Sequence, residues 1–278
     1  MSRLLGYICS DDTLTHTVLE EVADELRLGD GNEKIGRGFG WVREGRTLLR
    51  KQPPQGATRG ELGSYVSDIP AREIVGFECD PDSEAVDTMD LQPFSFRTWV
   101  YAQDGDLDSL EEHRDEILEE IPDHVRRNID GESIEELCFH VFLDELHDRG
   151  GFGASQSDPE RCASALVEAV VRIEERLDGN RSTDGIFDTD IVAISERLLL
   201  AVAGSESLYY QKFEGIEEEV DESLFAGHRP QTEKHPRFRA VLVTNGLQNS
   251  GNAWERLPPR HLMWVNPDWE IRTIPLDD

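Results

Sequence analysis

The sequence predicts an α+β protein whose β-sheets pack between helical layers, and three observations carry that expectation. Short apolar, strand-like runs dominate the first third of the chain, acidic amphipathic helices fill the middle, and strand-like runs return at the end. Strands, then helices, then strands, with no internal repeat and no long linker, point to one domain over residues 1–278. A chain of 278 residues is long enough to bury a sizeable core.

The elements follow from local patterns. "RLLGYIC", Arg3 to Cys9, reads as a buried strand, and "THTVLEEVADELRL", residues 15–28, as an amphipathic helix. Gly36 to Val42 is a Gly-rich approach to a second strand, and "REIVGFEC" and "FRTWVYAQ" supply two more. In "WVYAQDGDL" the strand ends at Asp104-Gly105, a dipeptide that favours φ > 0 and so a sharp reversal. Two acidic helical segments follow, "LDSLEEHRDEILEEI" and "SIEELCFHVFLDELHDRG". The second carries apolar Ile134, Leu137, Cys138, Val141 and Phe142 and a stop at Gly150. "DPERCASALVEAVVRIEERLDG" repeats the pattern from an Asp-Pro start to a Gly end. "DIVAISERLLLAVAGSESLYYQ" reads as consecutive short strands, and "FRAVLVTNGL" and "HLMWVNPDWEIRTIPL" as the closing ones. "FEGIEEEVDESLFAGHRPQTEKHP", residues 213–236, reads as a solvated loop.

Charge narrows the function classes. Against 58 Asp+Glu stand 28 Lys+Arg, a net charge of −30, and only Lys34, Lys51, Lys212 and Lys234 are lysines. Such a balance suits a salt-rich cytoplasm, where screening suppresses self-repulsion. No basic stripe is available to neutralise phosphates, which argues against nucleic acid as a partner. Cys9, Cys79, Cys138 and Cys162 form no Cys-x-x-Cys pair, so reduced, mostly buried thiols are expected. "MSRLLGYICSDD" is too short in apolar residues for a signal peptide, and no run reaches membrane-spanning length, so a soluble cytoplasmic protein is expected.

Ordinary site signals are weak. His140, Asp144 and His147 share a helical face at a spacing a metal could use, but the same spacing describes a polar flank beside Glu145 and Asp148. Gly36, Gly38 and Gly40 precede a strand, so no helix dipole is there to hold an anion. Trp264 and Trp269 read as core and edge packing. No metal and no cofactor is expected.

Several segments together resemble the class II glutamine amidotransferases, N-terminal-nucleophile hydrolases that open with Met-Cys-Arg-Leu-Leu and expose the Cys by losing Met. Met1-Ser2-Arg3-Leu4-Leu5-Gly6-Tyr7 resembles that start. Arg37-Gly38-Phe39-Gly40 is similar to the family's His-Gly-Trp-Gly, and Asp90-Leu91-Gln92-Pro93-Phe94 to its Asn-Thr-His-Pro-Phe. Gln103-Asp104-Gly105 falls where the family has His-Asn-Gly, Gly131-Glu132-Ser133-Ile134-Glu135 where it has Gly-Thr-Asp-Ser-Glu, and "NAWERLPPRHLMWV" resembles its Trp-x-x-Val-Pro segment. The resemblance implies a four-layer αββα sandwich of the Ntn-hydrolase type, two mainly antiparallel sheets between helical layers.

The resemblance also implies a site, and there this chain departs from the pattern. In the family the N-terminal Cys attacks the glutamine amide, its own amine is the base, and Asn-Gly stabilises the oxyanion. An Arg and an Asp hold the glutamine's α-carboxylate and α-amine. Carried over, the nucleophile is Ser2, the oxyanion pair is Asp104 and Gly105, the Arg position is Cys79 and the Asp position is Ser133. Ser for Cys is tolerable, because other enzymes of the fold use Ser. Asp for Asn removes a donor worth about 3–4 kcal/mol. An ionised carboxylate ~4 Å from the oxyanion adds a few kcal/mol of repulsion at an effective dielectric near ~20. Losing the Arg removes a charge-assisted grip of about 1.5–3 kcal/mol, and losing the Asp a similar one.

Three readings follow: a non-catalytic descendant kept as a binding or regulatory module, a hydrolase or acyl-transfer enzyme using Ser2 on another amide, and a working glutamine amidotransferase. Each allows a small amide or amino-acid ligand; the protein partner is not specified by sequence. Apart from the family, Asp104-Gly105 is a good turn dipeptide, and Ser2 a small residue that permits Met removal.

Overall fold

A computed structural model describes residues 2–23, 25–26, 36–53, 69–79, 88–150, 158–177, 188–204, 207–220, 231–247 and 253–276. The first sheet takes β1 (Arg3–Cys9), β2 (Arg37–Arg43), β3 (Arg46–Gln52), β4 (Glu73–Glu78), β9 (Tyr209–Val220), β10 (Gln231–Thr244) and β11 (Glu255–Arg256), in the order β11-β9-β10-β1-β4-β2-β3. The second takes β5 (Phe94–Phe96), β6 (Trp99–Asp104), β7 (Asp190–Ser195), β8 (Leu198–Ala203), β12 (His261–Val265) and β13 (Ile271–Pro275), in the order β13-β12-β8-β7-β6-β5. Among the described residues every strand pair is antiparallel. The helices are α1 (Thr15–Glu21), α2 (Arg114–Glu120), α3 (Asp123–Arg126), α4 (Ile134–Asp148) and α5 (Pro159–Leu177).

Side-chain alternation along the strands sorts the apolar residues into three cores and so stacks four layers. Leu4 and Ile8 of β1, Val75 and Phe77 of β4, Val100 and Ala102 of β6, and Val241 and Val243 of β10 meet between the sheets. The alternate row, Leu5, Tyr7, Phe39 and Ile74, packs outward on Val18 and Leu19 of α1. Trp99, Tyr101 and Ile191 of the second sheet pack outward on Leu137, Phe142, Leu166 and Val170 of α4 and α5. Full burial of each such side chain contributes about 1.5–3 kcal/mol, so these rows fix which face of each sheet turns inward. The sheets approach closely at Gly6, where an added Cβ would lie 2.5 Å from Val192. The αββα arrangement expected from the sequence is present.

Three expectations are corrected. Within 213–236, the described residues are not loop: β9 runs to Val220 and β10 starts at Gln231, while 221–230 lie outside the described residues. Gly215 at φ 84° and a register shift between His235 and Arg239 break the alternation that would have revealed these arms. The helix expected over 15–28 stops at Glu21, because Leu26 turns back to bridge Leu247; Asp24, Arg27 and Leu28 lie outside the described residues. Strand β3, "RTLLRKQ", is absent from the expected elements: it is an edge strand with little buried surface and no clean apolar alternation.

Among the described residues no helix is long and apolar enough to cross a membrane. All four cysteines are free and buried.

Candidate functional site

The inward rows of four strands end at one mouth between the sheets. Ser2 lies one step before β1 on the same row as Leu4, and Cys79 one step beyond β4 on the row of Phe77. Asp104 closes β6 on the row of Ala102, and Asn245 follows β10 on the row of Val243. Residues far apart in sequence thus converge because strand side chains repeat every second residue.

Asp104 is the hub of this mouth. Its Oδ2 accepts a hydrogen bond from the Asn245 side-chain amide at 2.7 Å, and the Ser2 side chain bonds the same carboxylate. Asn245 is itself fixed, because its Oδ1 accepts from the Leu4 N–H at 2.7 Å. Burial raises the Asp104 pKa above the ordinary carboxylate value, opposed by the bonds from Asn245 and Ser2. The pair Ser2 and Asp104, expected from the sequence, is therefore brought together, while Asn245 is an addition that sequence reasoning missed. The signal for it was "TNGL": an Asn-Gly directly after an apolar strand, read only as strand.

Gly105 is beside the mouth for a reason other than the one expected. It does not have a positive φ, so no left-handed turn is made; an added Cβ would fall 2.3 Å from Thr189 Oγ1 and 2.7 Å from the Asp188 carbonyl. Close approach of the β7 lead-in explains the glycine, and the chain runs on into a helical turn at Asp108–His113.

Cys79 and Ser133, the positions that the resemblance assigns to glutamine anchoring, make contacts within the fold. Cys79 is 7% exposed, in the inter-sheet core, and its N–H donates to the Gly36 carbonyl at 3.0 Å. Ser133 N-caps α4, its hydroxyl accepting from the Glu136 N–H at 3.2 Å. Asp90 Oδ1 accepts the Glu132 and Ser133 N–H groups at 2.8 and 3.2 Å, and the Glu136 carboxylate accepts those of Asp130 and Gly131 at 3.0 and 2.7 Å. The N–H groups of residues 130–133 are thus all bound to the Asp90 and Glu136 carboxylates.

Behind the mouth, on the outer face of the first sheet, lies a buried ion cluster. Arg37 Nε meets Glu78 Oε1 at 2.6 Å and Arg3 Nη1 meets Glu78 Oε2 at 3.2 Å, with Arg37 and Glu78 each 2% exposed. The register places Glu78 opposite Arg3 and Arg37 on its two neighbours, so three strands are tied at this end. In the facing sheet, the Gln92 side chain mimics a strand partner: it donates to the Gln103 carbonyl at 2.8 Å and accepts the Gln103 N–H at 2.7 Å. That clamp holds the end of β6, and so Asp104, in place.

His140, Asp144 and His147 do not converge. His140 Nδ1 bonds the Glu136 carbonyl at 2.8 Å, Asp144 pairs with Arg172 at 2.8 Å, and His147 faces Asp148 and the His124 ring. Among the described residues no group of three or more His, Cys, Asp or Glu side chains could hold a metal ion.

Comparison with solved structures bears on the fold. The chain is similar to a glutamine aminotransferase class-II domain protein from Silicibacter pomeroyi, with a TM-score of 0.59 and 14% identity over 99% of this chain and 100% of that one. This is a class II glutamine amidotransferase fold. A predicted glutamine amidotransferase from Pseudomonas aeruginosa is similar at a TM-score of 0.54 and 13% identity, covering 97% of this chain and 94% of that one. No protein-family model matches the sequence, and no curated protein matches it.

Proposed function

We propose that this chain is a class II glutamine amidotransferase-like domain whose glutaminase site is non-catalytic, retained as a binding or regulatory module. One observation carries the reading: the residue in the oxyanion-donor position is a carboxylate, Asp104, accepting from Asn245 and Ser2. A tetrahedral oxyanion needs donors; an ionised acceptor there opposes the charge that develops. Cys79 and Ser133 offer no charge to a glutamine's α-carboxylate and α-amine, and Ser133 is engaged as a helix cap. Residues 1–278 act as one domain in this reading, and the −30 charge suits a salt-rich cytoplasm.

A second reading has its own support. Ser2 bonded to a carboxylate of raised pKa is a nucleophile beside a base, which fits an Ntn hydrolase acting on another amide. The test is ammonia release from glutamine and from a panel of simple amides in molar salt, for wild type and Ser2→Ala. The first reading expects background rates for both proteins on every substrate. Turnover of any amide that Ser2→Ala abolishes would replace it with the second.

A further inference from the structure

At the end of the sandwich opposite Ser2, a cavity of about 100 Å³ opens between the two sheets. The end of β1 supplies Cys9 and the start of β4 supplies Arg72 and Glu73. The β7–β8 turn supplies Arg197, and the β12–β13 turn supplies Asn266 and Trp269. Glu73 is 6% exposed and accepts the Arg197 N–H at 2.9 Å, a contact that joins the sheets. Arg197 holds this position at φ 58°, with its guanidinium on the Pro267 carbonyl at 3.3 Å. Nothing in the Ser2 mouth uses these groups.

We propose that this cavity binds a small monovalent anion, of chloride to formate size, between the Arg72 and Arg197 charges and beside the Glu73 carboxyl. The space admits a few water-sized groups and excludes a bulky polyol acid. The Arg72 and Arg197 guanidinium groups act on Glu73 against Glu196, Arg72 also pairs with Asp12 at 3.8 Å, and Cys9 beside Glu73 has its thiol pushed up by burial and stays neutral. Burial pushes Glu73 up to about 7, so near neutrality its carboxyl exchanges between a donor and a repelling anion. Anion uptake therefore brings a proton with it and is stronger at acid pH.

The experiment replaces potassium gluconate by potassium chloride at constant ionic strength and follows the melting temperature at pH 6 and pH 8.5. A ligand held by the folded state alone raises it. Wild type is expected to gain about 2–4 °C from chloride relative to Arg72→Gln at pH 6, and less at pH 8.5. Arg72 is half exposed and its removal leaves the core intact. Glu73→Gln should keep the chloride effect and lose its pH dependence, which a merely structural Glu73 would not produce. As a direct readout, iodide should quench Trp269 saturably, and Trp269→Phe should remove that component. An equal chloride effect in wild type and Arg72→Gln at pH 6, or linear iodide quenching unchanged by Trp269→Phe, would overturn the proposal.

Discussion

Asn245 joins the two ends of the site: its side-chain oxygen takes the Leu4 N–H at 2.7 Å while its amide donates to Asp104 Oδ2 at 2.7 Å. One side chain thus ties the strand that carries Ser2 to the strand that presents Asp104. Asn245→Ala leaves a buried N–H and a carboxylate each without that partner. The expected cost is about 1–3 kcal/mol per orphaned group, measured by denaturant unfolding in molar salt; a loss below ~0.5 kcal/mol would show that the link is unimportant.

Asp104→Asn keeps an acceptor for Asn245 and removes a buried charge. Because burial raises the folded pKa of Asp104, its stability cost is absent below the unfolded pKa, grows as the pH rises above it and is complete once the pH has passed the folded value. The variant should match wild type near pH 3.5 and equal or exceed it by up to about 1 kcal/mol at pH 8. A variant clearly less stable at pH 8 would mean that the carboxylate is held by more than these contacts.

Glu73 gives a larger effect of the same sign. Its folded pKa is about 7, raised by burial from 4.5, so the stability it costs is absent below pH 4.5 and complete above pH 7. Glu73→Gln should therefore gain on wild type across that window, by about 3 kcal/mol at its upper end. Parallel pH profiles for the two proteins would contradict the assignment.

The Arg3–Glu78–Arg37 cluster predicts a loss. Glu78→Gln removes the carboxylate charge that bonds Arg3 and the buried Arg37 together and should cost about 3–5 kcal/mol. Because the pair is buried, molar salt should not rescue it. Wild type itself should melt substantially higher in molar salt than in ~0.1 M, as its −30 charge is screened.

What the sequence disclosed follows from how each signal is written in the chain. Strands such as Arg3–Cys9 and Asp190–Ser195 are buried on both faces, read as continuous apolar runs, and occur where expected. Helix α4 was legible from its Ser133 start and Gly150 stop, and the structure confirms both. The long arms β9 and β10 were not, because their outer thirds are charged on both sides of the hairpin and carry Glu217–Lys234 pairing in place of apolar alternation. The convergence of Ser2 and Asp104 could be anticipated from ordered motifs. Asn245 left only the Asn-Gly after its strand as a signal, and Asp90 and Glu136 left none, since they act through backbone N–H groups whose positions only the folded chain defines.

The central claim is that Ser2, facing Asp104, does not attack a glutamine amide. Incubation of the protein in molar salt with a diazo-ketone analogue of glutamine, followed by intact-mass measurement, tests it most directly. The same spectrum reads whether Met1 has been removed. The account predicts an unmodified mass after prolonged incubation. A single adduct on Ser2, absent from Ser2→Ala, would contradict it.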